Sequence, residues 1–256
     1  MISRNRLKEL AAYRQQRRCD EEAVFVVEGP RLAAEALASG FAVRVVCATT
    51  EWRAESGERK VESGERRVEG AEFYEVTQAE LERLSNMKTP NQVWMLVERP
   101  AACQPPAGGS GLTLALDCIQ DPGNLGTMMR TADWYGVRHI VCSRDTVSCY
   151  NPKVVQASMG AVFRTRMDYV DLPQWLAASG MPVIGASLQG EPLTRSRIDA
   201  LARSPKVLLI GNEGRGIGPE AMAQVTHPVL IPNLGGTAES LNASVAAAIL
   251  IDRLIG

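Results

Sequence analysis

Five polar side chains stand in glycine-rich stretches where little else could do chemistry. They are Asn124 and Arg130 in QDPGNLGTMMRTADWYGV (120–137), Glu213 in GNEGRGI (211–217), and Ser240 and Asn242 in IPNLGGTAESLNASVAAAIL (231–250). Arginine offers a planar fork of donors matched to phosphate or carboxylate. An amide both donates and accepts, and a carboxylate ion accepts. Taken singly, each residue also has a plainer reading. Asn124 is a helix cap, Arg130 a surface charge, Glu213 part of a turn without a ligand, and Ser240 or Asn242 an N-cap.

The spacing excludes several chemistries. GNEGRGI is neither the dinucleotide fingerprint GxGxxG nor a P-loop, since no GK[ST] follows. Ser240 has no G-x-S-x-G elbow, which argues against a serine hydrolase. Six cysteines include no CxxC pair, and His139 and His227 lie far from any such pair, so no metal is expected and the thiols read as buried and reduced.

The elements that must position the five side chains follow from the apolar pattern. Strands are expected at 112–118, 139–143, 182–187, 206–212 and 227–232, nearly all apolar and spaced by helices. Such runs predict a parallel sheet covered on both faces. In open α/β sheets ligands sit outside the carboxyl ends of the strands. The loops beginning at Ile119, Gly211 and Ile231 are those ends, and they carry all five residues. In the first loop Pro122, Gly123, Asn124 and Gly126 read as a tight turn from which a helix departs with Arg130 on its second turn.

Residues 1–98 read as a separate small α/β domain, with strands at 23–29, 42–49, 72–76 and 93–98. A helix is expected at 30–40, opened by Pro30 and closed by Gly40. Thr77 and Glu80 have the spacing of a capping box. RPAACQPPAGGSG (99–111) reads as an interdomain linker, and 112–256 as the second domain. The duplicated ESGERKV and ESGERRV (55–68) read as a solvated loop.

The formal net charge of −1 does not advertise a nucleic-acid binder. Its distribution is more informative: Arg4, Arg6, Lys8, Arg14, Arg17 and Arg18 face only Glu9 within 1–18, a local basic element that reads either as a phosphate contact or as a solvated helix face. No apolar run reaches a membrane span, and MISRNRLKEL lacks a signal-peptide core, so a cytoplasmic protein is expected.

Taken together, NLGTMMR (124–130), GNEGRGI (211–217) and IPNLGGTAESLNASVA (231–246) resemble the SpoU-type ribose 2′-O-methyltransferases of tRNA and rRNA, within the SPOUT superfamily. FVVEGPRLAAEAL (25–37) is similar to the ribosomal-protein-L30e-like substrate-binding domain of that family. The resemblance implies an α/β fold whose parallel sheet ends in a C-terminal trefoil knot, preceded by a small L30e-like α/β domain. It implies S-adenosyl-L-methionine as cofactor, RNA as partner and a homodimer whose apolar last helix joins the interface. Asn124, Arg130, Glu213, Ser240 and Asn242 match the polar catalytic set. Gly211, Ile231 and Leu241 match the adenine-pocket backbone, with Asn212, Gly214 and Gly216 in the same cofactor loop. The family proposal gives the arginine the proton-abstracting role; on that footing Arg130 binds the target phosphate and polarises the 2′-oxygen, with or without taking its proton, and Glu213 is the alternative acceptor or orients Arg130. Large-subunit (23S) rRNA is the expected substrate, with tRNA and a non-catalytic RNA-binding role as alternatives. One departure stands out: the segment between Ile231-Pro232 and Ser240-Leu241-Asn242 has one residue more than the family pattern, Gly235-Gly236 carries the extra glycine, and Asn233 stands where methionine is common.

Overall fold

The computed structural model describes residues 1–52, 70–100, 111–201 and 205–255. The ESGER repeat and most of the expected linker lie outside the described residues. The chain divides into two compact units, Met1–Cys103 with Tyr150–Phe163, and Gln104–Cys149 with Arg164–Gly256.

The first unit is built on β1 (Val24–Glu28), β2 (Val43–Ala48), β3 (Glu72–Glu75) and β4 (Val93–Glu98), in the order β1-β4-β2-β3. β4 is antiparallel to both neighbours, and β2 and β3 are parallel. Its interior includes Leu10, Val24, Val26, Leu81, Leu84, Trp94 and Leu96. The expected helix is there as Pro30–Ser39, with Gly40 beyond it, and Thr77 and Glu80 form the capping box of Gln78–Leu84. Tyr150–Phe163 joins this unit through aromatic packing: Tyr150 lies 4.8 Å from Phe25 and Phe163 lies 5.3 Å from Phe41, centroid to centroid. The N-terminal basic run is partly neutralised, with Arg6 paired to Glu9 and Glu72, Arg17 to Glu21 and Arg18 to Glu22.

The second unit carries six parallel strands: β5 (Leu112–Leu116), β6 (His139–Ser143), β7 (Arg166–Val170), β8 (Val183–Pro192), β9 (Lys206–Ile210) and β10 (His227–Leu230). Their order is β10-β8-β9-β5-β6-β7. The two central strands, β5 and β9, are completely buried apart from Thr113. Each fully buried Leu or Ile contributes about 1.5–3 kcal/mol relative to exposure, so these strands hold the sheet. β7 was not expected from the sequence. RMDYV is half-buried throughout and lies at the sheet edge, so it has no continuous apolar run to betray it.

The strand order fixes where a ligand belongs. From β5 the chain moves outward to β6 and β7. It then reappears on the other side at β8, steps in to β9 beside β5, and leaves again for β10. Connections therefore diverge from the β5–β9 pair, and the crevice at its carboxyl end is the topological switch point.

Candidate active site

The segment read as a tight turn is already helical. The helix Pro122–Trp134 starts at Pro122, with the Asp121 carboxylate accepting the Asn124 N–H at 2.8 Å and proline at the first helical position. The turn reading failed because proline and glycine are punctuators only by default. A first helical turn tolerates both, since the proline N–H would be unpaired there in any case. Leu125, Met128, Met129 and Ala132 form the buried stripe of this helix. Because Asp121 supplies the cap, the Asn124 side chain is released for other partners.

Those partners come from the other two loops. Asn124 Nδ2 donates to the Glu213 carboxylate in a short contact, and Asn242 Nδ2 donates to Asn124 Oδ1 at 2.9 Å. One amide thus joins the loops that follow β5, β9 and β10. To reach it, the chain after edge strand β10 returns across the carboxyl ends of the intervening strands. Asn242 also caps the last helix, Ala243–Ile255: its Oδ1 accepts the N–H of Ser244 at 2.9 Å and of Val245 at 3.3 Å. Asn242 thus caps the helix through its Oδ1 and joins the polar cluster through its Nδ2. Ser240 is exposed and forms no hydrogen bond among the described residues. Arg130 lies on the same helix as Asn124, exposed and without an ion pair or hydrogen bond among the described residues. The structure therefore brings Asn124, Glu213 and Asn242 together and leaves Arg130 and Ser240 with unused hydrogen-bonding capacity.

The loop after β9 is closed on itself. Asn212 N–H donates to Gly216 O at 3.0 Å and Gly216 N–H returns to Asn212 O at 2.9 Å. Asn212 Oδ1 accepts from Gly214 and Arg215, and its Nδ2 donates to Cys118 O at 2.9 Å. A Cβ on Gly211 would lie 2.2 Å from the Gly216 carbonyl carbon, so only glycine lets the two ends of the loop meet. Asp117 Oδ2 holds Gly218 N–H at 2.7 Å from the β5 side.

The loop after β10 is built differently. Asn233 alone organises it: Oδ1 accepts from Gly235 and Gly236, and Nδ2 donates to Gly236 O and Ala238 O. Gly235 has φ 111, a conformation side chains resist, so the extra glycine and the unusual asparagine are two halves of one turn. Beyond it the main-chain groups of Thr237 and Leu241 have no partner among the described residues. Leu234 is 96% exposed, and Leu241 and Val245 are exposed too. Among the described residues no group of three His, Cys, Asp or Glu side chains could hold a metal ion.

Three residues at this edge escaped the sequence reading. Asp121 was legible as an N-cap before Pro-Gly, and Arg215 lies within GNEGRGI itself. Cys118 gave no signal, because a cysteine at a strand end reads as core.

A six-stranded parallel sheet with a polar cluster joining three strand-end loops at its switch point defines an α/β enzyme that binds a nucleotide-like ligand. The family model SpoU rRNA Methylase matches residues 111–252, and an MRM3-like substrate binding domain matches residues 4–94. The chain is 31% identical, over 91% of its length and 88% of the relative's, to the 23S rRNA (guanosine(2553)-2′-O)-methyltransferase RlmP of Bacillus subtilis. Among solved structures, a TrmH-family protein from Porphyromonas gingivalis superposes with a TM-score of 0.84 at 35% identity, covering 99% of this chain and 98% of that one. An AdoMet-bound rRNA methyltransferase from Sinorhizobium meliloti follows at 0.82 and 26%, covering 99% and 95%. The chain belongs to the SpoU rRNA methylase family. It is an RNA methyltransferase, and its cofactor is S-adenosylmethionine.

Proposed function

We propose that the protein methylates a ribose 2′-hydroxyl of large-subunit (23S) ribosomal RNA. The observation that carries this reading is the Asn124 amide, hydrogen-bonded to both Glu213 and Asn242 at the β5–β9 crevice, on the same helix as an arginine with no ion-pair partner among the described residues. The named activities of the similar proteins point to the 2′-oxygen and to 23S rRNA.

S-adenosylmethionine, when bound, supplies a methyl group already activated by its sulfonium. The residues Gly211, Ile231 and Leu241 would hold its adenine through main-chain groups, with Asn212, Gly214 and Gly216 shaping that loop. What remains for the chain is to align the nucleophilic oxygen and remove its proton. Arg130 binds the phosphate flanking the target ribose and polarises the 2′-oxygen; a guanidinium is a poor ordinary base. Glu213 is the nearest carboxylate on the cluster and serves as proton acceptor, with Asn124 fixing its orientation. Asn242 locks Asn124 in turn, and Ser240 hydrogen-bonds the entering substrate.

The same reading extends to assembly. Residues 1–98 act as the RNA-binding domain and 112–256 as the methyltransferase domain, joined by 99–111. The segment after β10 is threaded through the loop after β9 as a trefoil knot. Two chains pair through the last helix, whose Val245 is exposed near Leu241, and the protein works in the cytoplasm. Among the described residues no helix is long and apolar enough to cross a membrane.

The test is to map 2′-O-methyl groups on rRNA from a strain lacking the gene and to restore the missing mark in vitro with purified protein and S-adenosylmethionine. A complete set of rRNA marks in the deletion strain overturns the substrate assignment.

A further inference from the structure

Cys118 has φ 56, in the left-handed region that a side chain other than glycine resists. The peptide around it is pinned from both sides. Its N–H donates to Ser143 Oγ at 2.7 Å, and its carbonyl accepts from Asn212 Nδ2 at 2.9 Å. A glycine would occupy this conformation without strain, so the thiol is retained for what it touches. Backbone strain of this kind, where observed, is a pointer to function.

The thiol touches two groups. Arg215 Nη2 donates to Cys118 Sγ at 3.2 Å, and the thiol lies close to the Asp145 carboxylate, which accepts from Ser143 Oγ at 2.6 Å. Three strand-end loops, after β5, β6 and β9, meet in this network. Arg215 itself is exposed and forms no ion pair among the described residues. Its one side-chain hydrogen-bond partner among the described residues is the Cys118 sulfur. Asp145 accepts from the Ser143 hydroxyl, and its charge reaches the guanidinium through space without an ion pair. The guanidinium is thus oriented by the thiol and only partly offset by a carboxylate, at the edge where the other loops converge.

We infer that Arg215, held in place by the Cys118 thiol, contacts a backbone phosphate of the RNA substrate, with Cys118 as its positioning residue. This rests on the methyltransferase reading above and adds a second cation to it. An oriented, unpaired arginine fork is matched to a phosphate. Placing it three residues from the loop's closing contact at Asn212 fixes it to the rigid part of the edge.

The experiment uses a 23S rRNA transcript and full-length protein. Arg215→Gln should raise KM for the transcript about tenfold, the worth of one charge-assisted contact, with kcat within twofold. The slope of log affinity against log salt should fall by about 0.7–0.9, the signature of one lost phosphate contact. Arg215→Lys should keep the salt slope. Cys118→Gly should melt no lower than the wild type, because it relieves the strained backbone, yet raise KM several-fold. Calorimetric S-adenosylmethionine affinity should be unchanged in all three variants.

A wild-type salt slope in Arg215→Gln removes the phosphate contact. Loss of S-adenosylmethionine binding in that variant reassigns the arginine to the cofactor and overturns the inference. A wild-type KM in Cys118→Gly removes the positioning role. If the wild-type protein leaves the transcript unmethylated, the substrate reading fails by itself, and the salt slopes still decide the role of Arg215.

Discussion

Two glycine loops leave the carboxyl ends of β9 and β10, two strands of the same sheet separated by β8, and they are built in opposite ways. The loop after β9 is closed by a reciprocal main-chain pair between Asn212 and Gly216, and it is tied to β5 through Cys118 and Asp117. The loop after β10 hangs on one asparagine, and its residues 233–242 are all exposed. Glycine content is similar, so composition does not separate them. The number of hydrogen bonds to the rest of the sheet does. The first is a preformed wall whose geometry does not wait for a ligand. The second is bonded mainly to itself, through Asn233, and leaves the main-chain groups of Thr237 and Leu241 unpaired among the described residues, so a ligand that bonds them should order it further. Asn242, at the far end of the second loop, is the one point among the described residues where a side-chain hydrogen bond fastens it to the wall, through Asn124.

The largest expected effect comes from the cation that the wall serves. Arg130 stands on the helix that begins at the pinned end, so the backbone that carries its fork is held by rigid structure. Arg130→Lys keeps the charge and loses the fork. Single-turnover methylation should fall on the order of 100-fold or more, while S-adenosylmethionine affinity is retained. A lysine variant with a near wild-type rate would show that the mobile side of the edge, not the wall, governs catalysis.

The contrast can be broken directly with matched substitutions. Gly211→Ala places a methyl group against the Gly216 and Ile217 backbone, which cannot retreat. It should destabilise the protein by roughly 1–3 kcal/mol and weaken cofactor binding. Gly236→Ala meets only Asn233 Oδ1, at 3.5 Å, and should change stability by less than about 0.5 kcal/mol. Equal losses in urea unfolding would mean that the two loops are equally constrained.

Amide exchange sharpens the same point without mutation. Residues 234–241 should exchange at least on the order of tenfold faster than the Asn212 and Gly216 amides, and S-adenosylmethionine should slow the former far more than the latter. Prior protection of 234–241 in the free protein would refute the picture of a loop waiting for its ligand.

How much of this was legible in the sequence differs along the edge. The parallel sheet was readable because β5, β6 and β9 are mostly apolar and β8 begins with an apolar stretch. β7 was not, because an edge strand with Arg166 and Asp168 on it carries no such run. The loop residues were identified as a set only by resemblance, since each alone has a simpler explanation. One of those simpler explanations holds and one fails. Asn242 is a cap and also bonds Asn124, whereas Asn124 caps nothing because Asp121 took that place. The role of Asn233 and the extra glycine could not be read from the chain. It depends on four hydrogen bonds within a single turn, and spacing does not encode them. Cys118 was illegible for a related reason: its importance lies in a backbone angle.

The smallest expected effect concerns the pinned side and acidity. Hydrogen bonds from the Cys118 thiol and from Ser143 hold the Asp145 carboxyl below its ordinary value. A depressed carboxyl adds stability above its unfolded pKa, where the folded state carries the charge at no penalty. That contribution is lost as pH falls through the folded value, because the unfolded chain takes up the proton first. Asp145 is largely solvent-exposed, so the screened effect should stay below about 1 kcal/mol. Urea unfolding of the wild type and Asp145→Asn between pH 6 and pH 3 measures it. The stability gap should be widest at pH 6 and narrow toward pH 3. A gap that stays constant over that range would mean that the carboxylate charge adds nothing to the wall, leaving the Asn212 and Asp117 contacts to hold it.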